Sequence, residues 1–128
     1  MRMLCRTADV PPGTMRSYLV GRVRVVVIHS PAGFSVLRDA CPHQGAPLSG
    51  GRLVGTMLPG AYGEYRLGRL GEVVRCPWHA WEFDVRTGCS LVDSEHDRVK
   101  SYPVSVVNGG VYVEGLGEGT VEPVGIPA

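Results

Sequence analysis

The stretches Cys41-Pro42-His43-Gln44-Gly45-Ala46-Pro47-Leu48-Ser49-Gly50-Gly51 and Cys76-Pro77-Trp78-His79-Ala80-Trp81-Glu82-Phe83-Asp84 decide how this chain is read. Each opens on a cysteine with a histidine two or three positions later, set among turn formers (Pro42, Gly45, Pro47, Pro77). Two thiolates and two imidazoles on two tight loops make a ligand set for soft or borderline metals. A structural tetrahedral zinc uses the same set, but common zinc sites pair Cys with Cys and His with His. C-x-H followed by C-x-x-H instead suits a binuclear iron–sulfur cluster of mixed ligation.

Outward from these loops, the chain punctuates itself with turns. Eighteen Gly and ten Pro against two Phe and two Trp in 128 residues point to an all-β protein. Strand-like runs are expected at 3–7, at 15–20 and 22–29 (a hairpin broken at Gly21), and at 34–38, leading into Cys41. Residues 65–67 and 73–75 read as a further hairpin around Gly68 and Gly71. Residues 81–85 alternate as a strand should, so Trp81 and Phe83 share a face and Phe83 is a core candidate. Val99–Val107 and Val111–Glu114, joined at Asn108-Gly109-Gly110, read as a closing hairpin. No stretch holds a helical period over ten residues. The expected architecture is a small antiparallel β-sandwich or barrel over 1–114, with the two loops at hairpin tips. A surface loop insert is expected at about 56–68, and 115–128 reads as a fraying Gly/Pro-rich tail.

Composition excludes several function classes. A net charge of +1 argues against nucleic acid or an anionic membrane surface as partner. The longest apolar run, Val25-Val26-Val27-Ile28, is strand-sized, and the N-terminus lacks a secretory signal core, so a cytoplasmic location is expected. Cys5 and Cys89 are then ordinary reduced thiols. His29, at the end of an apolar strand, reads as structural, His96 as part of a solvated acidic loop, and Arg22–Arg24 as an outward strand face.

The fragments CPHQGAPLSGG (41–51) and CPWHAWEFD (76–84) resemble the two cluster-binding motifs of Rieske [2Fe–2S] proteins, and the resemblance runs more weakly over nearly the whole chain. It implies the Rieske fold and one [2Fe–2S] cluster, with Cys41 and Cys76 on an inner iron and His43 and His79 on an outer one. Neutral imidazoles in place of two thiolates raise the potential into a range of about −150 to +300 mV. High-potential members add a disulfide between the loops, but here the matching positions are Ala46 and Trp78. Those members also place Ser and Tyr hydroxyls where this chain has Trp81 and Phe83, so the low end of the range is expected. The Pro-containing shielding loop of many members has no counterpart in residues 91–97.

By resemblance, then, the chain is a Rieske-type ferredoxin carrying single electrons between a flavin-dependent NAD(P)H reductase and a terminal oxygenase or other oxidoreductase. Two alternatives stand beside it. One is a small Rieske subunit of a multi-subunit enzyme, like the nitrite reductase small subunit. The other is a zinc-stapled module without redox activity. A complete Rieske oxygenase is excluded, because only His29 and His96 remain for a mononuclear iron site and a chain of this length has no room for that domain.

Overall fold

The computed structural model of the chain describes residues 1–41, 47–59, 65–77, 82–91 and 98–124, with side chains left out at 55–59 and 65–71. Its strands run, in order, as β1 (Arg2–Arg6), β2 (Met15–Val20), β3 (Val23–Ser30), β4 (Gly33–Arg38), β5 (Arg52–Pro59) and β6 (Tyr65–Arg75), then β7 (Glu82–Asp84), β8 (Ser101–Tyr102), β9 (Val104–Val107), β10 (Gly110–Val113) and β11 (Val121–Pro123). They form three antiparallel sheets: a five-stranded sheet in the order β11-β2-β3-β4-β8, and two three-stranded sheets, β1-β10-β9 and β5-β6-β7. The all-β expectation holds. Among the described residues no helix is long and apolar enough to cross a membrane.

The Val25–Ile28 run explains the layering. Successive strand side chains point to opposite faces, so an unbroken apolar run implies burial on both. All four residues are fully buried. Val25 and Val27 enter a core with Leu4, Val10, Tyr18, Val36, Val111 and Val113, beside β1 and β10. Val26 and Ile28 enter a second core with Leu37, Leu48, Val74, Phe83 and Val85, beside β6 and β7. The five-stranded sheet is therefore the middle layer, with a core on each face. The second core also contains Cys41 and Cys76.

Several sequence expectations need correction. Residues 56–68 are not a loop excursion: Thr56 pairs with Gly68, Met57 with Leu67, Leu58 with Arg66 and Pro59 with Tyr65, so β5 and β6 make one long hairpin. The glycines read as turn signals, Gly68 and Gly71, lie within β6, and the register shifts between Val54 and Thr56. A two-stranded ribbon tolerates such bulges and glycines where a central strand would not. The expected hairpin between 65–67 and 73–75 is consequently a single strand. Residues 60–64 lie outside the described residues.

The run 99–107 is also not one strand. It changes sheets at Pro103, which has no N–H to give either ladder: Ser101–Tyr102 extends the middle sheet, and Val104–Val107 pairs with β10. Asn108 (φ 47°) and Gly109 (φ 77°) then form a two-residue hairpin turn, and Gly110, expected in the joint, already pairs with Val107 in β10. The tail does not fray along its described length. Val121–Pro123 pairs with β2, and Arg2 donates to the carbonyls of Gly117 (2.9 Å) and Gly119 (2.6 Å).

Candidate metal centre

Both cysteines of the two motifs leave their strands pointing into the second core. β4 ends at Arg38, and Cys41 follows, 3% exposed; β6 ends at Arg75, and Cys76 follows, 2% exposed. Neither is in a disulfide. His43 and His79 lie outside the described residues, as do Trp78, Trp81 and the stretch 92–97 with His96. Phe83 is fully buried in the core that holds the two thiols, as its alternation on the strand implied.

The first loop returns to the sheet through a single 3-10 turn, Leu48–Gly50, whose Leu48 is fully buried beside Cys41 and Cys76 in that core. Gly51 then passes so close to β6 that a Cβ there would stand 1.8 Å from the carbonyl oxygen of Arg75. Only a glycine permits this approach, which sets the exit of the first loop against the entry of the second. At Gly50, a Cβ would stand 3.8 Å from Pro47 Cγ and 3.9 Å from Pro77 Cγ, so a proline of each loop flanks the contact. A recess of about 310 Å³ lies here, lined by Gly50, Gly51, Arg52, Arg75, Cys76 and Pro77.

Charge at this end is arranged in one rung across the β5-β6-β7 sheet. Arg52 stands opposite Arg75, and Arg75 opposite Glu82, whose carboxylate it meets at 3.2 Å. Like charges face each other across β5 and β6, and Glu82 offsets one of them. The pair is solvent-exposed and contributes less than about 1 kcal/mol.

A second electrostatic feature escaped the sequence reading. Asp39, two residues before Cys41, is 3% exposed. Its Oδ2 accepts hydrogen bonds from Ser17 Oγ (2.7 Å), Arg24 Nε (3.0 Å) and Ser49 Oγ (2.7 Å), and its Oδ1 accepts one from the backbone N–H of Ser49 (2.8 Å). Arg24, expected merely to face outward, is thus half of an ion pair with a buried carboxylate. The sequence offered no signal for it, because Asp39 follows the exposed Arg38 and its partners come from other elements.

The remaining candidates are structural. His29 sets its Nδ1 2.8 Å from the carbonyl oxygen of Val10 and stacks on Phe34 with ring centroids 4.1 Å apart. Cys5 is buried and Cys89 partly buried, and neither is in a disulfide. Burial pushes the Cys5 thiol above its usual range, which disfavours its thiolate.

Two reduced, desolvated thiols in one core are a donor set suited to iron in an iron–sulfur cluster. Among the described residues, no group of three or more His, Cys, Asp or Glu side chains forms a complete metal site. The chain segments that carry Cys41 and Cys76 adjoin where Gly51 meets the Arg75 carbonyl.

Residues 1–103 match the family described as the Rieske [2Fe–2S] domain. Apoptosis-inducing factor 3 of Homo sapiens is 31% identical over 110 residues, which cover 86% of this chain and 16% of that protein. The 3-phenylpropionate/cinnamic acid dioxygenase ferredoxin subunit of Photorhabdus laumondii is 27% identical over 110 residues, covering 86% of this chain and 90% of that subunit. A chain in the solved complex of reduced oxygenase and oxidized ferredoxin in carbazole 1,9a-dioxygenase is 30% identical with a TM-score of 0.64, covering 88% of this chain and 99% of its own length. Thus the chain spans a small fraction of the first relative and nearly all of the second. The buried thiol pair, the adjoining loops and the family match lead to one assignment: the chain belongs to the Rieske [2Fe–2S] domain family, with one [2Fe–2S] cluster per chain.

Proposed function

We propose that the protein is a Rieske-type ferredoxin that carries single electrons to a terminal oxygenase or other oxidoreductase. The observation that carries this reading is the presentation of Cys41 and Cys76 in one core at the meeting point of two loops, on a chain that spans nearly all of a dioxygenase ferredoxin subunit. When bound, the cluster takes up and releases one electron.

The four ligands in this reading are Cys41, His43, Cys76 and His79. Cys41 and Cys76 would supply thiolates from the dry side, where Leu48 and Phe83 exclude water. His43 and His79 would supply the two imidazoles. The partner docks over the two loops, where Arg52 and Arg75 offer guanidinium groups to a carboxylate-bearing surface. A modest interface there suits transient exchange. The donor is a flavin-dependent NAD(P)H reductase, and the exchange takes place in the cytoplasm.

The test is EPR of the dithionite-reduced, anaerobically purified protein, with iron and zinc measured on the same sample. A rhombic signal with a mean g below that of all-thiolate clusters, and about two irons per chain, is the expected result. A colourless, EPR-silent protein with one zinc would overturn the reading.

One observation favours a second reading, a Rieske subunit held in a permanent complex. Met3, Val106 and Val107 are 42%, 49% and 50% exposed on β1 and β9, remote in the fold from the thiol-bearing core. Obligate interfaces are more apolar than transient ones. A chain that runs as a monomer in size-exclusion chromatography of the native extract would remove this reading.

A further inference from the structure

The Asp39 carboxylate joins three parts of the fold at a single buried point. Ser17 belongs to β2 and Arg24 to β3, both in the middle sheet, while Ser49 sits in the 3-10 turn that closes the first cluster loop. Asp39 stands at the entrance of that loop and Ser49 at its exit. Two of the four hydrogen bonds, from Ser49 N and Ser49 Oγ, therefore close the base of the segment that contains Cys41 and His43. The other two, from Ser17 Oγ and Arg24 Nε, anchor the closure to the scaffold. The backbone N–H of Asp39 donates in turn to the carbonyl of Arg24 at 2.9 Å, fixing the carboxylate from its own main chain.

From Ser49 the constraint continues. Two residues on, Gly51 abuts the Arg75 carbonyl, directly before Cys76. One carboxylate thus connects the scaffold, the exit of the first loop and the entry of the second. We propose that Asp39 is the positioning residue of the cluster site: its carboxylate clasps the first loop shut and so sets where Cys41 stands relative to Cys76.

The chemistry favours a carboxylate here over any neutral side chain. Four donors converge, and an ionised carboxylate accepts at both oxygens, whereas an amide accepts at one only. With Asp39 neutral or absent, Arg24 loses its counter-ion and the Ser17 and Ser49 hydroxyls lose their acceptor in a dry site. A loop held at both ends has few conformations to lose when its ligands engage metal, and removing the closure returns that freedom.

This inference rests on the [2Fe–2S] reading, and the experiment separates the two. D39N, S49A and S17A would be loaded alongside the wild type and compared for iron content, cluster loss under chelator, reduced EPR spectrum and melting temperature. D39N and S49A are expected to lose the cluster about tenfold faster, as outer-shell changes at metal sites do, with broadened EPR lines. S17A removes one of the two bonds that anchor the carboxylate to the scaffold and leaves both bonds to Ser49, so its melting temperature falls and its cluster loss quickens less than in D39N or S49A. D39N further removes a negative charge near Cys41 and raises the midpoint potential, a shift absent in S49A. Should D39N fail to fold, S49A decides the matter. Wild-type rates and spectra in D39N and S49A, with only their melting temperatures lowered, would reduce Asp39 to a structural residue and overturn the proposal. A wild-type protein that takes up no iron would instead fail the cofactor reading itself.

Discussion

The two faces of the middle sheet are built from alternate residues of the same strand, yet they meet different demands. The core beside β1 and β10 is a plain apolar interior to which Val25 and Val27 contribute. Its connections are tight turns such as Asn108-Gly109. The core beside β6 and β7 takes Val26 and Ile28, and it must also hold two thiols and hand the chain out into two loops. Apolar burial dominates the first face. On the second, a buried carboxylate and close backbone approaches at Gly51 and Gly88 supplement it. A fold can thus keep a stable half and a chemically committed half on a single shared sheet.

The sharpest way to break this contrast is to remove a thiol. Cys41→Ser or Cys76→Ser is expected to take iron content from about two per chain to none. The far-UV circular dichroism of the β1-β10-β9 half should persist, since neither cysteine belongs to its core. Loss of all structure in either variant would mean that the two faces fold only together with the metal.

Glycines test the same contrast at the level of the backbone. Gly51→Ala would drive a methyl group against the Arg75 carbonyl and is expected to cost about 3–5 kcal/mol, with the cluster lost. Gly13, on the other side, has φ +79° but open space around it, so Gly13→Ala meets only conformational strain of about 1–2 kcal/mol. Denaturant titration and iron analysis of both variants would check the difference.

Packing gives a smaller effect. Leu48→Ala empties a fully buried site beside the thiols and should cost about 3 kcal/mol while loosening the cluster. Val27→Ala, on the opposite face, should cost about 2 kcal/mol and leave iron retention unchanged.

The smallest effect concerns alkaline pH and the metal-free face alone. Burial pushes Cys5, Tyr18 and Tyr102 above their ordinary values of 9.0, 10.0 and 10.0. Their folded forms hold protons that the unfolded chain releases first. Stability from these groups is therefore complete below about pH 9 and is lost as pH rises beyond it. The melting temperature should be flat with respect to these groups up to that point and then decline. Tyr18→Phe should soften the decline. At neutral pH it should change stability by less than about 1 kcal/mol, because the group facing the buried Tyr18 hydroxyl is the Cys5 thiol, a weak hydrogen-bond partner. An unchanged alkaline decline in Tyr18→Phe would move the cause to Cys5 or Tyr102.

Sequence alone was enough for the class and for the chemistry. The turn-rich composition, the Val25–Ile28 run and the Asn108-Gly109 turn state local preferences that burial later satisfied. The two motifs point to the cofactor because a metal centre demands particular side chains at close spacing. Only the tertiary structure decided the rest. Gly68 reads as a turn but continues β6, where it pairs with Thr56, and Gly71 falls in the bulge at which β6 shifts register against β5. Residues 121–123 read as tail but become an edge strand, because β2 offers an open edge. Asp39 is silent in sequence, since its partners Ser17, Arg24 and Ser49 come from separate elements that meet only in the folded chain. Local chemistry can be read one residue at a time, whereas a contact between distant segments exists only once the backbone has brought them together.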